Sequence, residues 1–107
     1  MSSVDQRIQS LIDQNKILIF IKGTREIPMC GFSATVVQVL NDLDVPYETV
    51  DVLEDPEIRE SVKQFSNWPT IPQLYIDSKF IGGCDIIREM YESGELESLA
   101  RAAMTKT

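Results

Sequence analysis

Residues 17–33 read ILIFIKGTREIPMCGFS, and the change of pattern inside this stretch decides the fold. Ile17–Ile21 is a short apolar run rich in isoleucine, closed by Lys22-Gly23; it has the character of a central strand buried on both faces. Thr24–Met29, interrupted by Pro28, is an irregular loop. From Ser33 to Leu43 the apolar residues fall at 36, 37, 40 and 43, which is helical spacing, and Val45-Pro46 ends the run. Cys30 therefore sits where a loop runs into a helix.

Working outward, Val4, Ile8, Leu11 and Ile12 predict an amphipathic helix over roughly residues 3–14. Tyr47–Val52 predicts a second strand, and Asp55-Pro56 opens a third helix that ends near Phe65–Trp68. Asp is a good N-cap and Pro fits a first helical turn. Leu74–Ile76 and Lys79–Ile81 flank Asp77-Ser78, a compact hairpin signal. Gly82-Gly83 breaks it, Ile86–Tyr91 is helical again, and Leu96–Met104 follows Gly94 as a last helix. The order α-β-α-β-α-β-β-α-α implies one right-handed parallel crossover and an antiparallel hairpin at one side. The expectation is an α/β fold: one domain over 1–107, a four-stranded mixed sheet flanked by about five helices.

Composition narrows the function. The chain has 107 residues, 43% of them hydrophobic and 25% charged, with a net charge of −7. That balance suits a soluble domain and argues against phosphate-backbone binding, so no nucleic acid partner is expected. The longest apolar run has five residues, so no membrane span is expected. Met1–Gln14 lacks the basic start and apolar stretch of a secretory signal, which points to a cytoplasmic setting. With two cysteines and no histidine, a four-ligand zinc site and histidine-activated nucleophiles are both out of reach. If the chain does chemistry, a thiol activated by something other than histidine is the leading candidate.

Cys30-Gly31-Phe32-Ser33 meets that need. At a helix start the sulfur faces orphan N–H groups and the positive end of the dipole, and a cation such as Lys22 lowers its pKa further. Ser33 stands where a CxxC protein carries its second cysteine, so no short disulfide can form there. The alternative, a cysteine buried as a small hydrophobe, stays open. Trp68-Pro69-Thr70-Ile71-Pro72 is either a rigid loop end or a cis Ile71–Pro72 turn that offers the Ile71 backbone to an extended peptide. Gly82-Gly83-Cys84-Asp85 either makes a plain turn with an Asp cap or opens helix N–H groups to a carboxylate. Cys84 by itself reads as a packed thiol.

Together with Lys22-Gly23-Thr24, Pro28 and Met29, these segments resemble monothiol glutaredoxins of the CGFS class, in order and spacing and over nearly the whole chain. The resemblance implies a thioredoxin fold and a glutathione groove. In it Lys22 and Arg59 hold the glycine carboxylate, and Ile71 pairs with the cysteine moiety. The Cys84 and Asp85 N–H groups take the γ-glutamyl carboxylate, with the Asp85 side chain near the ammonium. Phe32, Gln64, Thr70 and Gly83 are supporting contacts. For Arg59 an ordinary solvated helix position stays equally open.

Two functions follow from the resemblance. One is an iron–sulfur carrier: a [2Fe-2S] cluster generally takes four thiolate-type ligands, and one Cys30 plus one glutathione thiol per chain supply four across a homodimer. BolA-like proteins and apo iron–sulfur proteins are its implied partners. The other is a weak glutathione-dependent thiol-disulfide oxidoreductase, with Cys30 as nucleophile and Cys84 or a second glutathione resolving the adduct.

Overall fold

The computed structural model describes residues 2–105; of the unit expected over 1–107, Met1, Lys106 and Thr107 lie outside the described residues. Among the described residues, five helices and four strands follow one another as α1 Ser3–Gln14, β1 Ile17–Ile21, α2 Gly31–Leu43, β2 Glu48–Asp51, α3 Pro56–Ser66, β3 Gln73–Ile76, β4 Lys79–Gly82, α4 Cys84–Ser93 and α5 Glu95–Thr105. The sheet order is β2-β1-β3-β4. β1 runs parallel to β2 and antiparallel to β3, and β3 is antiparallel to β4, so the sheet is mixed.

All five residues of β1 are buried, as its uninterrupted apolar run requires of a strand covered on both faces. The pleat sends alternate side chains to opposite faces. Ile17, Ile19 and Ile21 join Val36, Val37 and Leu40 of α2, Ile87 of α4 and Leu96 of α5 in one cluster. Leu18 and Phe20 join Val4, Ile8 and Ile12 of α1 and Ile58 and Val62 of α3 in the other. Among the described residues, no helix is long and apolar enough to cross a membrane.

The boundaries differ from expectation for local reasons. α2 starts at Gly31 because Cys30 is itself the N-cap, and it stops at Asp44, which adopts a left-handed conformation (φ 55°) before Pro46. α4 runs over Cys84–Ser93, two residues beyond the predicted helix at each end, since Gly83 caps it directly and the left-handed Gly94 ends it. β2 is shorter than Tyr47–Val52, and Gln73 and Gly82 extend the hairpin strands by one residue each. At the hairpin tip, Asp77 (φ 53°) and Ser78 (φ 66°) are both left-handed, the two-residue turn whose twist matches its flanking strands. Asp55 caps α3 through the Ile58 N–H at 3.2 Å. It also meets the Arg7 guanidinium of α1 at 2.7 Å, which ties the two helices on that face together.

Phe20 is fully buried and stands edge-on to Tyr75 at 5.7 Å. Phe20→Ala is expected to lower the unfolding free energy by about 3–5 kcal/mol, the cost of a large core cavity. Urea denaturation followed by circular dichroism measures it, and a loss below about 1 kcal/mol would contradict the packing of this face.

Candidate functional site

The loop between β1 and α2 is folded back on itself. The Met29 N–H donates to the Lys22 carbonyl at 2.8 Å and the Thr24 N–H to the Ile27 carbonyl at 3.1 Å. Gly23 has φ +94°, and a Cβ there would fall 2.5 Å from the Ile27 oxygen, so only glycine fits the crossing. The Arg25 guanidinium lies 4.3 Å over the Tyr47 ring and donates to the Tyr47 carbonyl, pinning the far side of the loop to the chain leading into β2. The loop therefore delivers Cys30 to the end of α2 beside Lys22.

At that helix end the Cys30 sulfur accepts from the Ser33 N–H at 3.4 Å and lies 3.3 Å from the Ser33 hydroxyl. Ser33 is fully buried. Its oxygen accepts from the Lys22 backbone N–H at 3.1 Å, so its own proton remains free to turn toward an ionised sulfur. Partial burial pushes the Cys30 thiol up. The Ser33 hydroxyl, the Ser33 and Phe32 N–H groups and the Lys22 charge outweigh it, and the net result lies below the ordinary thiol value. The alternative of a cysteine sealed in the core is thereby set aside, since Cys30 remains partly exposed. Ile27, Met29 and Phe32, on the loop and helix start that flank Cys30 in the chain, are exposed at 67%, 63% and 64%.

Beside it opens a cavity of about 470 Å³. One wall is the Trp68–Pro72 segment, where the Ile71–Pro72 peptide bond is cis. The other is Gly83–Ile86, and Lys22, Phe32 and Lys63 complete the lining. Gly83 contributes no side-chain cap, so the first N–H groups of α4 are not covered by one. Cys84 is held above its ordinary value by burial first, then by the Asp85 and Cys30 charges, against the pull of Arg88. The two thiols are thus biased in opposite directions.

Of the residues singled out in the sequence, Lys22, Phe32, Thr70, Ile71, Gly83, Cys84 and Asp85 meet at this cavity, with Cys30 adjoining through its neighbour Phe32. Arg59 and Gln64 do not line it. Arg59 is half-buried with its Nε sealed from solvent and unpartnered, and Gln64 is exposed. The lining cation on α3 is Lys63, which the sequence reading passed over. Its signal was available: residues 59 and 63 are one helical turn apart and share a face.

The chain matches the glutaredoxin family over residues 17–81. It is 52% identical over 98 residues to an uncharacterized monothiol glutaredoxin, ycf64-like, of Synechocystis, covering 92% of each chain. A probable monothiol glutaredoxin 2 of Rickettsia typhi is 52% identical over 94 residues, 88% of this chain and 85% of that one. The chloroplastic monothiol glutaredoxin-S14 of Arabidopsis thaliana is 50% identical over 97 residues, 91% of this chain but 56% of that longer one. Among solved structures, reduced apo GrxS14 of poplar superposes with a TM-score of 0.84 at 46% identity, over 96% of this chain and 94% of that one. The holo form of poplar glutaredoxin C1, at 23% identity, shares the fold with a TM-score of 0.88 over 98% and 93% of the two chains.

Ser33→Ala removes the hydroxyl partner of the sulfur, and the Cys30 pKa is expected to rise. Iodoacetamide alkylation followed against pH then shows its midpoint at higher pH and a several-fold slower rate at neutrality. An unmoved midpoint would mean the hydroxyl does not stabilise the thiolate.

Proposed function

The chain belongs to the glutaredoxin family, with close relatives named monothiol glutaredoxins, and on that premise we propose that it binds glutathione and carries a [2Fe-2S] cluster between two copies of itself. The observation that supports this reading is a partly exposed Cys30, its thiol drawn below the ordinary value by its partners, beside a cavity of about 470 Å³ with cations at one side and an uncapped helix N-terminus at the other.

The donor set fits glutathione. Lys22 and Lys63 offer charge to a carboxylate, with Arg59 one turn from Lys63 on α3. The Ile71 backbone is the natural partner of the central cysteine residue in an extended tripeptide. The N–H groups of Cys84 and Asp85 suit the second carboxylate, and the Asp85 side chain suits the ammonium beside it. Phe32, Thr70 and Gly83 supply close packing around these contacts.

Among the described residues, no group of three or more Cys, His, Asp or Glu side chains is placed to hold a metal ion. One Cys30 per chain therefore needs ligands from outside the chain, and the glutathione thiol is the chemically matched choice. Two chains and two glutathiones complete the set, and the thiolate charge is offset by Lys22 and the α2 terminus. A cluster held half by a dissociable tripeptide is suited to release. BolA-like and apo iron–sulfur proteins as partners, the CGFS subclass and a cytoplasmic location belong to the same proposal.

The opposite bias of the two thiols favours a second reading, a weak thiol-disulfide oxidoreductase. Cys30 would attack a glutathione mixed disulfide and expel the substrate thiolate; Cys84, once deprotonated, or a second glutathione would then displace glutathione from Cys30. For that route through Cys84, the Cα atoms of the two cysteines must come within about 7 Å.

Anaerobic addition of iron, sulfide and glutathione to the purified chain is expected to give a coloured dimer by visible absorption and gel filtration. Cys30→Ser is expected to stay colourless and monomeric, whereas Cys84→Ser keeps the cluster. No chromophore in the parent, with rapid turnover of a glutathionylated substrate, would move the assignment to the oxidoreductase.

A further inference from the structure

We propose that Gln73 is a positioning residue for the groove: from inside the protein, it fixes the Trp68–Thr70 wall against which the ligand packs. The inference deepens the reading of the cavity as a glutathione groove and rests on that reading.

Among the described residues, Gln73 and Ser33 are the buried polar side chains, both fully buried. A buried amide costs stability unless its donors and acceptor are used, so its partners show what it is for. The Gln73 Nε2 donates to the Trp68 carbonyl at 3.1 Å and the Thr70 carbonyl at 3.2 Å. The Tyr75 hydroxyl donates to the Gln73 Oε1 at 3.3 Å. This arrangement has one orientation. The two carbonyls accept only, so the NH₂ must face them, and the oxygen is left to the phenol. Burial pushes Tyr75 up to about 12, so the phenol keeps its proton across the working range of pH.

The rest of Trp68 is fixed from the same side. Its N–H donates to the Ser66 hydroxyl at 3.2 Å and to the Lys63 carbonyl at 3.1 Å. Its indole Nε1 is sealed without a partner, so the ring is held by packing and by its backbone alone. That ring lies 5.5 Å from Phe80 by ring centres, and a Cβ on Gly83 would approach its Nε1 to 3.0 Å. The indole is thus the contact between the two walls of the cavity. A shift of the Trp68 backbone moves the first wall and withdraws support from the start of α4.

Trp68 is the single tryptophan of the chain, so its fluorescence reports on the wall directly. Gln73→Leu leaves two carbonyls unpaired. It is expected to make Trp68 more accessible to acrylamide quenching and to raise the glutathione Kd about tenfold or more, a loss typical of unpaired buried groups. The pH profile of Cys30 alkylation should stay at its parent midpoint, because none of the groups that lower its pKa bonds to Gln73. Gln73→Glu sets a carboxyl against the same carbonyls, which repel its charged form, whereas its protonated form, favoured by burial, offers one of them a donor. Relative to the parent at each pH, its quenching and glutathione affinity should recover as that carboxyl is protonated and regains a donor.

Unchanged quenching in a Gln73→Leu protein with parental circular dichroism would overturn the inference, as would a loosened Trp68 with unchanged affinity or a displaced Cys30 profile. If Gln73→Leu does not fold, Gln73→Glu decides, and a Trp68 that is loosened at high pH and stays loosened at low pH counts against the proposal. A parent that binds no glutathione overturns the groove reading instead, and quenching alone then judges whether Gln73 holds the wall.

Discussion

The contact between the Cys30 sulfur and Ser33 at the first turn of α2 is the constraint on which the site depends. A thiolate at a helix start has unsatisfied N–H groups to meet, but partial burial works against its charge. The Ser33 hydroxyl tips that balance, because its oxygen already has a donor in the Lys22 N–H and its proton is free. The same hydrogen bond joins the end of β1 to the beginning of α2. Geometry and reactivity at Cys30 therefore share one cause.

The polar groups of the interior are placed where they serve the cavity. Ser33 lies under the sulfur and Gln73 under the Trp68–Thr70 segment, while the rest of the buried set is apolar or aromatic. Fully satisfied buried polar groups fix one arrangement, since every alternative leaves a donor or acceptor without a partner. The two apolar clusters on either side of β1 give the sheet its stability. The buried hydroxyl and amide determine how the loops at the carboxyl end of β1 and before β3 are held. Poplar glutaredoxin C1, at 23% identity, shares this sheet-and-helix fold.

The acidic balance of the chain gives the site its contrast. Against a net charge of −7, Lys22 and Lys63 face the same cavity, and Lys22 also acts on the thiol. An anionic ligand would meet positive charge there, against the net negative charge of the chain as a whole. Burial and the Asp85 charge push the Cys84 thiol up, while at Cys30 the Ser33, Phe32 and Lys22 contacts outweigh burial and draw it down, so the two thiols are biased in opposite directions.

Local pattern by itself determined the strand Ile17–Ile21, the helix that follows Cys30, the Asp55 cap and the Asp77-Ser78 hairpin, because each is set by side chains within a few residues of one another. It also marked Cys30, the cis-prone Ile71–Pro72 bond and the glycines before α4. Tertiary structure decided the rest. Ser33 reads in sequence as a missing cysteine and proves to be the sulfur's partner, and Gln73, an ordinary strand residue on paper, holds the groove wall. The physical reason is that a hydrogen bond or a shared cavity depends on which groups the folded chain brings within about 3 Å, and no spacing along the backbone encodes that distance.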